Sequence, residues 1–247
     1  MGLTQLLLFA VIIMCTYFIE GMIGFGGTIM AIPLASAVVG LKLTVPVLRM
    51  IVVAASLIIV LRDFKYICKK EYFRIASIML IGLPIGMWLF SSLPERPLKI
   101  ALGVFMVFVA IKGILTSKKT TEQTQKPLTG IRYYLQYVMI FLGGIFHGAF
   151  ASGGPFVVVY ATKAITDKTA FRVTLCALWA TLDGITLTLN ATQGVITPDM
   201  LVLAAITMLF VLFAIYTSNI AHKKVDATQF TRVVYIALLV SGILMIR

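Results

Sequence analysis

Charge is what this sequence has least of. Asp, Glu, Lys and Arg make up only 12% of its 247 residues against 60% hydrophobic, and the mean hydropathy is +1.04. A soluble domain is about a quarter charged, so this chain cannot cover its own surface with polar groups and reads as an integral membrane protein. Cysteine is scarce too. Cys15, Cys68 and Cys176 are too few and too scattered for a disulfide framework or a CxxC redox pair, and are expected to be small buried hydrophobes. No Gly-rich phosphate loop of the P-loop type occurs, which argues against coupling to ATP within this chain. The first fourteen residues lack the basic n-region and cleavage site of a signal peptide and are expected to belong to the mature protein.

Acidic residues are the rarer charge: 21 Lys and Arg face 9 Asp and Glu, giving a net charge of +12. Such an excess can mark a nucleic-acid binder, but no nucleic-acid motif accompanies it. The basic residues gather instead between apolar runs, at Arg62, Lys65, Lys69, Lys70 and Arg74; at Lys112, Lys118, Lys119, Lys126 and Arg132; at Lys163, Lys168 and Arg172; and at Lys223, Lys224 and Arg232. Short basic loops face the cytoplasm and its anionic lipid headgroups.

The apolar runs predict helices at 3–20, 28–40, 44–61, 75–90, 98–115, 133–150, 155–165, 173–192, 200–220 and 228–246. A crossing takes about 20 residues. The runs at 28–40 and 155–165 are too short and each follows a glycine pair, so each is expected to form a hairpin with the preceding helix and return to the face it came from. With the loops at 62–74, 116–132, 166–172 and 221–227 all cytoplasmic, both termini then lie outside.

The two hairpin turns superimpose without gaps. Ile19 to Thr28 lies over Phe146 to Pro155, placing Glu20 on His147, Gly21 on Gly148 and Gly26-Gly27 on Gly153-Gly154. Each half reads as a hairpin plus three crossings, an odd number, so the second half enters from the opposite side. The expected fold is therefore all-α and polytopic, with two inverted-topology repeats, residues 1–115 and 132–247, joined by a polar cytoplasmic linker at 116–131. Inverted repeats with broken helices are a signature of secondary transporters, whose substrate site lies near the midplane where the breaks meet.

A helix that begins inside the membrane presents unpaired N–H groups and the positive end of its dipole, and glycine lets a ligand approach them. That pattern predicts an anion site. Its donors in the first half are expected from Gly24, Gly26, Gly27 and Thr28, with the threonine as a candidate N-cap hydroxyl. The second half offers Ser152, Gly153 and Gly154, with Pro155 suited to the first helical position. The competing reading for such glycines is close helix packing, the role expected of Gly82 and Gly86 around Pro84.

Ionisable side chains at membrane depth are costly and survive mainly when paired or facing water. Arg49 would supply a planar cationic fork for an oxyanion, or else snorkel to the near interface. Glu20 and His147 are candidate proton carriers or partners of each other, since histidine ordinarily titrates near neutrality. Asp183 is expected to pair with Arg49 or carry a coupling ion. Thr181 and Asn190 read as helix-packing hydrogen-bonders; Phe25, Phe150, Phe156 and Trp179 would wall a pocket or simply fill the core.

At its glycine turns, GMIGFGGTIMAIPLAS (Gly21 to Ser36) and GIFHGAFASGGPFVVVY (Gly144 to Tyr160), the chain resembles the sulfite exporter TauE/SafE family of membrane anion transporters. The resemblance departs at Thr28 and Pro155, where many members have a third glycine, and at Tyr160, which stands where the first half has Pro33. What it implies is transport of sulfite, sulfoacetate and other organosulfonates, with Gly26-Gly27 and Gly153-Gly154 facing the substrate. On this reading the chain is not an enzyme and needs no cofactor or metal. Its partners are a small anionic substrate and the lipid bilayer, with no nucleic acid, and it works as a monomer or homodimer in the inner membrane of a bacterial or archaeal cell. The alternative is a membrane-embedded lipid-phosphate hydrolase, with Glu20 as base, His147 as proton shuttle and Arg49 as phosphate clamp. An assembly factor and a channel are weaker options.

Overall fold

The computed structural model describes residues 2–23, 26–117, 131–221 and 227–246, and every element among them is helical. Ten α-helices correspond one for one to the apolar runs: α1 (Leu3–Ile23), α2 (Gly27–Val39), α3 (Leu41–Asp63), α4 (Lys69–Ser92), α5 (Glu95–Ser117), α6 (Ile131–Phe150), α7 (Gly154–Ala164), α8 (Lys168–Thr192), α9 (Pro198–Ala221) and α10 (Ala227–Ile246). A single 3-10 turn, Phe64–Tyr66, links α3 to α4.

Several helices start earlier than the apolar runs predict. α4 begins at Lys69 rather than Ile75, and α8 at Lys168 rather than Val173. Charged residues at a membrane surface can stay helical, because their stems lie along apolar surface while their heads reach water. First-turn acids also suit the positive end of the helix dipole, as Glu71 does in α4 and Glu95 in α5. Glu95 further accepts from the Leu41 amide at 2.9 Å and pairs with Lys99 at 2.8 Å. Asp167 caps α8 by accepting from the Ala170 amide at 2.7 Å.

Six of the described helices are long and apolar enough to cross a membrane, and α2, with 13 residues, and α7, with 11, are too short to do so straight across. The cysteine expectation needs correcting: Cys15 is exposed, while Cys68 and Cys176 are half-buried. In an apolar solvent an exposed thiol on a spanning helix loses little, so membrane depth removes the pressure that buries cysteine in soluble proteins.

Packing divides the chain into two compact units, residues 1–47, 93–124 and 198–247 in one, 48–92 and 125–197 in the other. Each draws on both halves of the sequence. In the first unit α1 packs on α2 and α9, and α5 runs along α10. Small residues set the second of these approaches: a Cβ on Gly103 would meet the Gly242 carbonyl, and one on Gly113 would meet the Tyr235 ring. In the second unit α4 runs along α6, and α7 and α8 complete the bundle around Ile75, Met79, Leu83, Ile140, Val157, Leu178 and Leu182.

The α4–α6 contact shows why Gly82 and Gly86 are there. A side chain at Gly82 would strike the α6 backbone at Phe141 and Ile145, and one at Gly86 would strike Ile145 and Ala149. Reciprocally, Gly144 faces the backbone of Met79 and Gly148 that of Leu83. Both helices carry glycines four apart, the spacing that brings membrane helices into backbone contact where no hydrophobic effect drives association.

Candidate functional site

The second helix break lies in the second unit. α6 ends at Phe150, Ala151 takes a left-handed turn with φ +52, and α7 starts at Gly154 with Gly153 as its N-cap. Pro155 is thus the second helical residue rather than the first, still inside the turn whose amides lack intrahelical acceptors. No side chain caps this helix.

Behind the break sits a buried charge cluster. Arg49 from α3, His147 from the last turn of α6 and Asp183 from α8 are at most 2% exposed. Arg49 Nη1 lies 3.5 Å from Asp183 Oδ1, and His147 Nε2 lies 3.2 Å from the same oxygen. The other guanidinium nitrogen, Nη2, donates to the His147 carbonyl at 3.0 Å and to the Gly148 carbonyl. Were α6 to continue, the amide of residue 152 would bond the Gly148 carbonyl. Arg49 takes that place, braces the broken end and brings a positive charge to the negative pole of the helix. The expected pairing of Arg49 with Asp183 is therefore present, and the snorkelling reading of Arg49 is overturned by its burial.

The histidine is held at one ring nitrogen and on one face, while its Nε2 lies near Asp183 without a hydrogen bond. The Gly153 amide points its N–H at Nδ1 from 3.5 Å, and the Trp179 indole stacks on the imidazole with centroids 5.0 Å apart and planes 20° apart. Asp183 Oδ2 is buried and has no hydrogen-bond partner among the described residues. Asp183 is the described ionic neighbour of His147.

The glycine pair divides into two roles. A Cβ on Gly153 would collide with the Gly143 carbonyl, His147 Cβ and Met79 Cε, so this glycine is required for packing. A Cβ on Gly154 would meet only Trp179, at 3.9 Å, which leaves the first turn of α7 approachable beside the indole. Ser152 is buried within the turn. Phe150 and Phe156 are buried on either side of Phe146, with centroids 6.0 and 5.2 Å away, and belong to the core.

The first break lies in the other unit. Gly26, with φ +94, is the N-cap of α2, and Gly27 opens the helix. This corrects the expectation for Thr28, which falls inside the first turn, and no side chain caps the helix. A Cβ on Gly27 would run into the Glu20 side chain and the Thr16 carbonyl. Gly24 and Phe25 lie outside the described residues, as do 118–130 of the expected linker; α5 continues through Ser117.

Sequence reasoning missed a polar network at the far end of α7. Tyr160 donates to Glu71 Oε2 at 2.5 Å and accepts from Arg74 Nη1 at 2.8 Å, while Arg74 also pairs with Glu71 at 3.1 Å. The available signal was an acid inside a basic stretch, together with a tyrosine where the repeat has Pro33. Thr181 acts as expected, its hydroxyl 2.7 Å from that of Tyr72 across α4 and α8. Among the described residues no group of three His, Cys, Asp or Glu side chains is placed to hold a metal.

Six spanning helices, two short helices entered through glycine turns and a buried cluster of charge define a polytopic membrane protein. The chain belongs to the sulfite exporter TauE/SafE family, whose family model matches residues 8–245. Its class is thereby that of a membrane transporter. No match was found among curated proteins or among solved structures. The hydrolase alternative gains nothing from the geometry, since Arg49 is committed to carbonyls and Asp183.

Proposed function

We propose that this protein is a secondary transporter of small sulfur-containing anions, sulfite and organosulfonates such as sulfoacetate, in the inner membrane of a bacterial or archaeal cell. The observation that carries this reading is the first turn of α7: an uncapped helix start whose Gly154 has open space beside Trp179, backed by the buried Arg49–Asp183–His147 cluster. Exposed amides at a helix start favour an anion. The first break, at Gly26, Gly27 and Thr28 with Glu20 beside it, is the counterpart of this helix start in an inverted repeat.

Coupling runs through His147. With the imidazole neutral, Arg49 and Asp183 balance; a proton on His147 makes the cluster cationic and sets Nδ1–H against the Gly153 amide. The protonated state therefore favours an anion at the α7 start, so proton and anion travel together. Flux of sulfite and of a small sulfonate into proteoliposomes, with and without an imposed pH gradient, tests the reading. Saturable uptake that a gradient accelerates supports it; no flux of either anion from folded protein refutes it.

A further inference from the structure

The second unit carries a cleft of about 530 Å³ beside the first turns of α4, formed by α3, the 3-10 turn, α4 and α8. Its walls are apolar: Leu57 and Val60 from α3, Phe73 from α4, Ala177 and Ala180 from α8. The polar atoms on its floor, the Tyr72 and Thr181 hydroxyls, bond each other at 2.7 Å and so ask nothing of an occupant. Leu57 and Phe73, 43% and 67% exposed, lie on spanning helices, so the cleft opens toward acyl chains.

One end of this cleft is cationic. Lys69 lines it where α4 begins, beside the turn that joins two spans and hence at the membrane surface. Arg62, Lys65 and Lys70 stand exposed in the same short stretch, with Lys65 lying over the Tyr66 ring at 5.5 Å. Of the two acids there, Glu71 is occupied by Arg74 and Tyr160, which leaves Asp63 to oppose four exposed cations. The 166–172 cluster comes to the same end of the unit, because the Cys68 amide donates to Thr174 Oγ1 at 2.9 Å near the start of α8.

An apolar cleft open to the bilayer at depth and cationic at the surface has the two-part character of one ligand class. We propose that it is a binding site for an anionic phospholipid, its headgroup phosphate held by Lys69 and Lys70 and an acyl chain lying along Leu57, Phe73 and Ala180. Basic pockets between spanning helices on the cytoplasmic side suit such headgroups. The proposal is independent of what the transporter carries.

Native mass spectrometry of the full chain in neutral detergent, titrated with phosphatidylglycerol, phosphatidylcholine or inorganic phosphate, tests it. Phosphatidylglycerol is expected to bind about tenfold tighter than phosphatidylcholine. The double substitution Lys69→Gln, Lys70→Gln should remove that preference, and Ala180→Trp should abolish retention of both lipids by filling the cleft. Lys163→Gln, an exposed cation on α7 that does not line the cleft, should change nothing. Equal affinity for the two lipids overturns the proposal, as does phosphatidylglycerol binding that survives both cleft variants. Binding of inorganic phosphate as tight as that of the lipid would reassign the cations to a soluble anion, and loss with Lys163→Gln would reduce the effect to diffuse charge.

Discussion

The two helix breaks begin from the same sequence pattern and end in different local structures. At the first, the left-handed residue among those described is Gly26 and the glycine that admits its neighbour is Gly27, against Glu20. At the second, the left-handed residue is Ala151, and the glycine that admits its neighbour is Gly153, against His147. Glu20 and His147 occupy equivalent positions, yet the crowded glycine has shifted by one residue, and at the second break Gly154 is left with open space. A motif shared between two breaks therefore specifies that each helix must be interrupted beside a titratable side chain. It does not specify which glycine serves packing and which serves approach.

The sharpest way to break the comparison is to remove the carboxylate buried behind the second break. Asp183→Ala strands Arg49 as a buried unpaired cation and is expected to cost about 3–5 kcal/mol of stability, read as a fall in thermal midpoint of the detergent-solubilised protein. The double variant Arg49→Met, Asp183→Leu should recover most of that stability while transport stays lost. A double variant that transports would show the cluster to be dispensable scaffolding.

The glycines come next in size of effect. Gly153→Ala should destabilise the fold by about 1–3 kcal/mol through overpacking, whereas Gly154→Ala should match the parent in thermal midpoint. Gly154→Leu is expected to fold and to lose anion flux, because its side chain fills the space beside Trp179. Full activity in Gly154→Leu would move the substrate away from this turn.

Proton coupling sharpens the contrast between Glu20 and His147. His147→Gln should leave flux that no longer responds to an imposed pH gradient, since the amide cannot take up the proton. A pH profile unchanged in His147→Gln but flattened in Glu20→Gln would transfer the coupling role to the first break.

The smallest effect concerns the turns themselves. Ala151→Gly relieves a left-handed alanine and is expected to be neutral or to stabilise by up to about 1 kcal/mol, while Gly26→Ala, at φ +94, should destabilise by about 1–2 kcal/mol. Opposite shifts would confirm that Gly26 needs its left-handed freedom, whereas its counterpart Gly153, at φ −77, does not.

Much of the fold was legible because hydrophobic run length responds directly to the bilayer, so all ten helices appear where apolar runs stood. Their starts were less legible. Lys69, Glu71 and Lys168 interrupt the apolar pattern but not the helix, because a side chain at the surface can leave the membrane while its backbone stays bonded. The pairing of Arg49 with Asp183 followed from the need of each buried charge for a partner. The use of Arg49 to cap α6, and the tie of Tyr160 to Glu71 and Arg74, depend on contacts between residues far apart in the chain.

The amino-acid sequence by itself determined that the chain lives in a bilayer, where its helices run and where two of them break, because those features depend on local hydropathy and on glycine at turns. Tertiary structure decided that α4 lies on α6 through interlocked glycines, that Arg49, His147 and Asp183 share one buried site, and that Gly153 is filled while Gly154 is open. Each of those depends on which helix comes alongside which. In a membrane that choice is made by close packing and by buried polar groups finding partners, neither of which a single helix carries within its own residues.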